Sequence, residues 1–427
     1  MANTLRPVAS LLLGIAFLLA GNGLQLTLMP LAGEASGFSP MWLGALGSAY
    51  YVGFVLGCLL GPYMIKRSGH IRSFAAMVSL ASAVALVHPL LIDPIAWGVL
   101  RAITGFCLAS LYLIIESWLN DRATNENRGF IMSAYIIVNF ATVVVGQLMV
   151  TLYPVTSYAS FALASILVSL AAIPVALTRS AQPTPITLVR FRPRELWRAA
   201  PVGVAGVFMV GMSNGAFWAL GPVYGTGSGL SVGDTAVFMS VAVAAGALSQ
   251  WPVGRLSDRL DRRIILAVLL VAAAAASLGL WLVRPGTETL LVLSFLFGAL
   301  TLPGYSLAAA HAYDRTKAGG YVETAAGILL VNGVGAVIGP TVAAVFIARI
   351  GPSALFLFTA MTQVTLAAFV LWRITVQAST AKADKTGFDL ASTSPMGAVI
   401  TPERVDAAHP LVRMPDHGAH DGPDRCT

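Results

Sequence analysis

Charge is scarce in this chain of 427 residues: Asp, Glu, Lys and Arg together make up 11% of it, against 57% apolar residues. So little polar surface cannot cover a water-soluble globule of this length, and the composition places the chain in a bilayer. Cysteine is almost missing. Cys58 and Cys107 fall in apolar runs and Cys426 near the end, which gives neither a disulfide framework nor a metal-ligand spacing. No nucleotide-phosphate loop or catalytic serine set is present, so an ATP-driven pump and a membrane-embedded enzyme have no support, and no cofactor or metal is expected. Carboxylates are missing from the middle of the apolar runs, which argues against a site built for cations. The net charge of +7 comes from basic residues scattered over loops, so it does not point to nucleic acid.

In place of these features the chain has apolar runs of about 20 residues, each long enough as a helix to cross a hydrocarbon core of about 30 Å. They fall near 8–30, 41–65, 73–92, 95–118, 129–152, 157–178, 201–224, 233–254, 264–283, 288–313, 322–347 and 353–375. Runs such as Ile265 to Val283 lack the alternation of barrel strands, so the chain is read as an all-α integral membrane protein with twelve transmembrane helices. The first run continues to Pro30 without a small-residue cleavage pattern, which makes it a retained span rather than a signal peptide. Lys66, Arg67, Arg72, Arg122, Arg128, the run from Arg179 to Arg198 and Arg259 gather on one side of the membrane, whereas the other side holds Arg284 and Arg349. The positive-inside rule then puts both termini in the cytoplasm. Residues 1–178 and 201–375 are expected to form two six-helix bundles, residues 179–200 a basic cytoplasmic linker, and residues 376–427, rich in Pro, Asp, His and small residues, a disordered cytoplasmic tail.

The two expected bundles carry the marks of an internal duplication. A shift of 192 positions lays Asn22 on Asn214, Gly23 on Gly215, Pro30 on Pro222, Ser39 on Ser231 and Arg67 on Arg259. After one inserted residue, a shift of 193 lays Gly105 on Gly298, Tyr112 on Tyr305, Asp121-Arg122 on Asp314-Arg315, Asn139 on Asn332 and Gly146 on Gly339. Six spans per half is an even number, so both copies share one orientation, as parallel repeats about an axis along the membrane normal.

Trp251 to Arg263, reading WPVGRLSDRLDRR, packs four arginines and two aspartates between two of the apolar runs, a cluster that hydrocarbon rejects. Written as G-x-L-x-D-R-x-x-R-R from Gly254, it resembles the loop motif of the major facilitator superfamily of secondary transporters, with Asp261 where that pattern has glycine. The first-half copy, GPYMIKRSGHIRSF from Gly61, has Pro62 for the motif glycine and Lys66 for its aspartate, and keeps Arg67, Gly69 and Arg72. ESWLN at Glu116, NRG at Asn127 and GQLMV at Gly146 are similar to the YcaD-like branch of that superfamily. The resemblance implies the major facilitator fold of two six-helix repeats, with alternating access and loop charges that close a cytoplasmic gate. Carried onto this sequence, those charges are Lys66, Arg67 and Asp121 in the first half and Asp258, Arg259 and Asp314, beside Gly254, in the second.

Arg101 lies about five residues inside the fourth run, where a lipid-exposed cation would cost several kcal/mol, so it is expected to face a wet cavity. Its stretch, LRAITGFCLA, resembles the superfamily's fourth-helix motif R-x-x-Q-G with Thr104 replacing glutamine, which implies a cavity position and a link to proton coupling. Tyr112 and Glu116 fall within about 60° of Arg101 around a helix, yet Glu116 is about 22 Å further along it, too far for an ion pair. Glu116 either exchanges a proton as the inner face opens or pairs with a loop arginine. His311 has a suitable unperturbed pKa for coupling, but falls about 120° from Tyr305 and is otherwise packed filler. Because the family places helices one, four, seven and ten around its cavity, the lining candidates are Asn22, Gln25, Arg101, Tyr112, Asn214, Trp218 and Tyr305. Asn139, Gln147 and Asn332 come second, with interhelical hydrogen bonding as their alternative role.

One buried arginine among amides and aromatics suits an anionic or neutral organic solute. The expected protein is therefore a secondary active transporter of such a solute, driven by protons, monomeric, in the lipid bilayer of a bacterial inner membrane. The superfamily's helix-five Gly-Pro signature is absent, since Gln147 follows Gly146, although Gly339-Pro340 is present in the second half. A different class stays open: a transporter-shaped scaffold or assembly factor that no longer transports, which the altered first-half motif would suit.

Overall fold

A computed structural model describes residues 8–124, 127–177, 192–282, 286–316 and 320–376. Among them no strand occurs, and each of the twelve apolar runs is a helix. These are α1 (Ala9–Ala35), α2 (Pro40–Ser68), α3 (His70–Leu90), α4 (Pro94–Arg122), α5 (Gly129–Thr151), α6 (Tyr158–Ala176), α7 (Pro201–Gly227), α8 (Val232–Arg259), α9 (Arg262–Leu282), α10 (Thr287–Tyr313), α11 (Glu323–Ile350) and α12 (Ala354–Val376). A short helix, Pro193–Ala199, precedes α7. Most of the expected linker and all but one residue of the expected tail lie outside the described residues.

Several helices run past their apolar segments. At 29 residues α2 and α4 are each about 43 Å long, more than the hydrocarbon thickness, so their ends reach into the headgroup layer and water. The motif residues Lys66 and Arg67 therefore occupy the last turn of α2, and Asp258 and Arg259 the last turn of α8, rather than free loops. Cations at a helix C-terminus are favoured by its dipole. Gly69 stops α2 at φ +79°, a left-handed conformation that glycine adopts without Cβ strain, and its N–H bonds the Ile65 carbonyl at 2.8 Å. The second half turns differently. Leu260 ends α8 at φ −112°, and Asp261 accepts from the Arg263 backbone N–H at 3.0 Å at the start of α9. No positive φ is needed there, which explains how an aspartate replaces the motif glycine.

The duplication is visible in the packing. Gly105 sits against the Tyr50 backbone on α2, and Gly298 against Ala242, its counterpart on α8. Gly146 packs on Ala20 and Gly339 on Met212; Gly23 packs on Val143 and Gly215 on Ala336. Each pair of contacts joins positions related by the same 192- or 193-residue shift, so the fold is two parallel six-helix repeats. Gly53 and Gly57 bring α2 onto α4 at Ala102 and Phe106, contacts that any side chain would obstruct. Within the first half α1 packs on α5 and α6, and α2 on α4; within the second α7 packs on α11 and α8 on α10. Across the halves α2 meets α7 and α11, α5 meets α8, and α1 meets α7.

The halves share their core unequally. Near the end of α1 marked by Glu34, one cluster joins Leu24, Leu28, Trp97 and Phe161 of the first half to Phe217, Tyr224 and Phe356 of the second. Toward the other face, marked by Arg67, the cores separate. One, around Leu11, Phe74, Ile114 and Tyr135, is first-half except for Val243, and the other, around Val207, Leu266, Leu307 and Val370, is entirely second-half.

Candidate functional site

Arg101 stands on α4 about 10 Å from its start and is 6% exposed. Its guanidinium carbon lies 4.5 Å from the centre of the Tyr50 ring, a cation–π seat that replaces part of its lost hydration. Gln25 on α1 lies about 15 Å from the same membrane face, at comparable depth, and Asn22 one turn deeper. Among the described residues Arg101 Nη1, Asn22 Oδ1 and Gln25 Oε1 are buried without a hydrogen-bond partner, and so is Asn214 Oδ1 on α7. Trp218 packs against both the first-half core and the shared core, which puts it at the junction of the halves. Asn332 has a structural bond: its Nδ2 donates to the Val207 carbonyl at 3.1 Å, fixing α11 to α7.

A second polar group lies deeper along α4. Glu116 is 0% exposed, and its Oε1 accepts from the Tyr135 hydroxyl of α5 at 2.8 Å. Asn139 lies one turn beyond Tyr135 on the same helix. Cys58 on α2 and Tyr305 on α10 are within electrostatic reach of Glu116. Sequence spacing placed Glu116 with Tyr112 on one face of α4, but Tyr135, on another helix, gave no signal. The Tyr135 phenol is one hydrogen-bonding partner of Glu116, and both roles open to this carboxyl stand.

The charged residues of the Arg67 face fall into an exposed set and a buried set. Lys66, Arg67, Asp121 and Arg259 are exposed. Arg262 and Asp314 are each 1% exposed and pair at 2.8 Å through the guanidinium Nε. Arg262 also reaches Asp258 at 3.3 Å and the Ser257 hydroxyl at 3.2 Å, while Ser257 donates to the Gly254 carbonyl at 2.7 Å. The sequence placed Arg259 with Asp314 among the gate charges; the arginine that pairs with Asp314 is Arg262, three residues on, because the break at Leu260 turns Arg262 and Arg263 inward and leaves Arg259 exposed. Arg263 pairs with Asp261 at 2.8 Å. Burial pushes the Asp261 carboxyl up, but hydrogen bonds from Arg263 outweigh it and hold the group below the usual carboxylate range. His311 is buried within reach of Arg315, Arg263, Asp261 and Arg262, in this charge cluster rather than near the membrane centre.

On the opposite face the halves are bonded to each other. The Thr226 hydroxyl donates to Glu34 Oε2 at 2.7 Å, joining repeat-equivalent positions 192 residues apart. Ser48 and Thr341 share a hydrogen bond at 2.7 Å, and Ser240, the repeat counterpart of Ser48, donates to Gln147 at 3.4 Å. Gly44 and Gly47 bring α2 against Ala344, Pro340 and Ala219 of the second half.

The profile of the Major Facilitator Superfamily matches residues 11–330. The MFS-type transporter YcaD of Shigella flexneri serotype 5b is 30% identical over 373 residues, covering 84% of this chain and 94% of that protein. An MFS-type transporter of Enterobacter sp. strain 638 is 29% identical over 367 residues, with the same two coverages. Among solved structures, the nucleoside transporter NupG superposes with a TM-score of 0.70 at 14% identity, covering 86% of this chain and 98% of that one. A bacterial homologue of the lysosomal transporter Spinster, inward-facing and occupied, also gives 0.70, at 15% identity, covering 89% and 97%. With twelve membrane-crossing helices and relatives of this kind, the chain belongs to the Major Facilitator Superfamily, in its YcaD-like branch, as a multi-pass protein of the bacterial inner membrane.

Proposed function

We propose that this secondary transporter moves a small organic solute, anionic or neutral, by alternating access coupled to protons, and acts as a monomer with the Arg67 face and both termini in the cytoplasm. The observation that carries the solute preference is Arg101, a cation held at membrane depth over Tyr50 with one guanidinium nitrogen unpartnered among the described residues. Such a group is expensive to keep unless a ligand completes it. The orphaned amide oxygens of Asn22, Gln25 and Asn214 add hydrogen-bonding capacity around a solute that the two halves enclose. The shared core at the Glu34 face and the separate cores at the Arg67 face support a cavity open toward the Arg67 side, which the basic residues there assign to the cytoplasm. Glu116 and His311 are the titratable candidates for coupling.

The test is solute-evoked proton movement in vesicles that hold the purified protein and an internal pH-sensitive dye, challenged with a panel of organic anions and neutral metabolites. A responding solute should lose its signal in Arg101→Ala and keep only part of it in Arg101→Lys, since a point-charge ammonium does not reproduce the planar guanidinium. Equal responses in the protein and in Arg101→Ala would remove Arg101 from the solute site.

A further inference from the structure

The second half holds a polar pocket where the first half is close-packed. Between α7, α9, α10 and α12 lies a cavity with about 10 Å³ of space for solvent, which is room for one water molecule. Its polar walls are Ser213 of α7, Thr301 of α10, and Thr362 and Gln363 of α12. Gln363 is fixed at both ends of its amide: Oε1 accepts from the Ser277 hydroxyl at 2.9 Å, and Nε2 donates to Thr301 Oγ1 at 3.1 Å. Thr362 donates to the Thr359 carbonyl at 2.7 Å. Ser213 is 2% exposed, and its hydroxyl has no hydrogen-bond partner among the described residues. An unbonded hydroxyl in an apolar interior is costly, and this one borders a water-sized space.

The repeat shows that the fold does not need the pocket. By shifts of 192 and 193 positions, Ser213, Ser277 and Thr301 correspond to Gly21, Ala85 and Leu108; a shift of 195, which lays Phe161 on Phe356, takes Thr362 and Gln363 to Leu167 and Val168. All five counterparts are apolar and buried. Gly21 lies directly against Val168 and Leu167, so closely that a Cβ there would stand 2.8 Å from a Val168 methyl. The helices differ as well. Whereas α4 runs unbroken from Pro94 to Arg122, its counterpart α10 breaks just after Thr301: Leu302 bonds back to the Gly298 carbonyl at 3.2 Å, and Pro303, which has no N–H, starts the next segment.

We propose that this cavity binds one structural water, held by Ser213, Thr301 and Gln363, which ties α7 to α12 and to the break in α10. The hydrogen-bonding capacity is there. Thr301 accepts from Gln363 and keeps its own O–H to donate, Gln363 has a second amide hydrogen, and Ser213 can accept from the water, so the molecule finds the roughly three partners that a buried water makes. The second half thereby carries a hydrated joint where the first half is dry. The site is independent of which solute or ion the protein carries.

The experiment is X-ray radiolysis of the full chain in lipid nanodiscs, in which an ordered water yields a hydroxyl radical that oxidises the nearest side chain, so that water is the only probe. Met209 lines the cavity, and Met239 is fully buried in the apolar core that the halves share. Met209 should take up oxygen faster than Met239. Ser213→Ala, which deletes one partner of the water and little volume, should slow Met209 by about 2- to 10-fold. Ser213→Gly together with Gln363→Val, the residues that the first half carries, should bring Met209 down to the rate of Met239. A Met209 rate equal in the protein and in Ser213→Ala, or no higher than that of Met239 at the outset, would overturn the water site. A rise at Met239 in the double variant would report unfolding, and Ser213→Ala then decides alone.

Discussion

The two faces of this molecule are made of similar helices and behave differently. At the Glu34 face the halves share one core, and three hydrogen bonds, Glu34 with Thr226, Ser48 with Thr341 and Ser240 with Gln147, cross between them. At the Arg67 face the strong ion pair, Arg262 with Asp314, lies inside the second half, and Arg67, Asp121 and Arg259 face water. The end of the interface built from small residues and single hydrogen bonds holds the halves together here, while the end rich in charge stabilises one bundle internally. Single hydrogen bonds of serine and threonine hydroxyls can be broken and remade at a cost of about 0.5–1.5 kcal/mol each, which suits a surface that must part repeatedly.

The largest effect is expected at the charged end. Asp314→Ala leaves Arg262 buried with only its outer partners and should destabilise the second half by about 3–5 kcal/mol, read as a drop in thermal unfolding of the purified protein; exchanging the two charges should recover part of it. Arg259→Ala, by contrast, should change unfolding by less than about 0.5 kcal/mol. Next comes a wedge at the small-residue end: Gly47→Val drives a side chain into Ala219 and Pro340 and should disfavour closure of the Glu34 face by about 1–3 kcal/mol, a shift of roughly 5- to 150-fold in cysteine labelling near Gln25. Thr226→Val, which removes a single donor to Glu34, should raise the same labelling by about 2- to 10-fold. The smallest effect concerns Asp261. Its folded-state carboxyl is held below the ordinary range, so its contribution is present above the unfolded value of about 3.9 and is lost as pH falls through the lower folded value. The gap between the stabilities of the protein and of Asp261→Asn should be full at pH 6 and shrink only below about pH 4, as pH approaches the lower folded value; a constant gap would mean that the Arg263 contacts do not depend on charge.

Much of the architecture was legible because the bilayer permits so few solutions. Runs near 20 apolar residues have to be helices, and the matched Asn22 and Asn214 or Tyr112 and Tyr305 carry the repeat in the sequence itself. Side-chain pairing across helices was not legible. In the tract Asp258 to Arg263 any of three arginines could meet Asp314, and the break at Leu260 brings Arg262 to it. Tyr135 lies 19 residues from Glu116 on another helix, so no spacing rule connects them. The interface at the Glu34 face was equally hidden, because serine, threonine and glycine at membrane depth are common packing residues and carry no signature of which half they touch.

The halves share one core at the Glu34 face and have separate cores at the Arg67 face. Spin labels on Arg67 and Arg259, repeat-equivalent and both exposed, measure the separation of the two bundles directly by distance distribution in a cysteine-free background. The account predicts a long distance in the protein and a population shifted to shorter distances in Gly47→Val, as opening one face closes the other. The same distribution in both would contradict it.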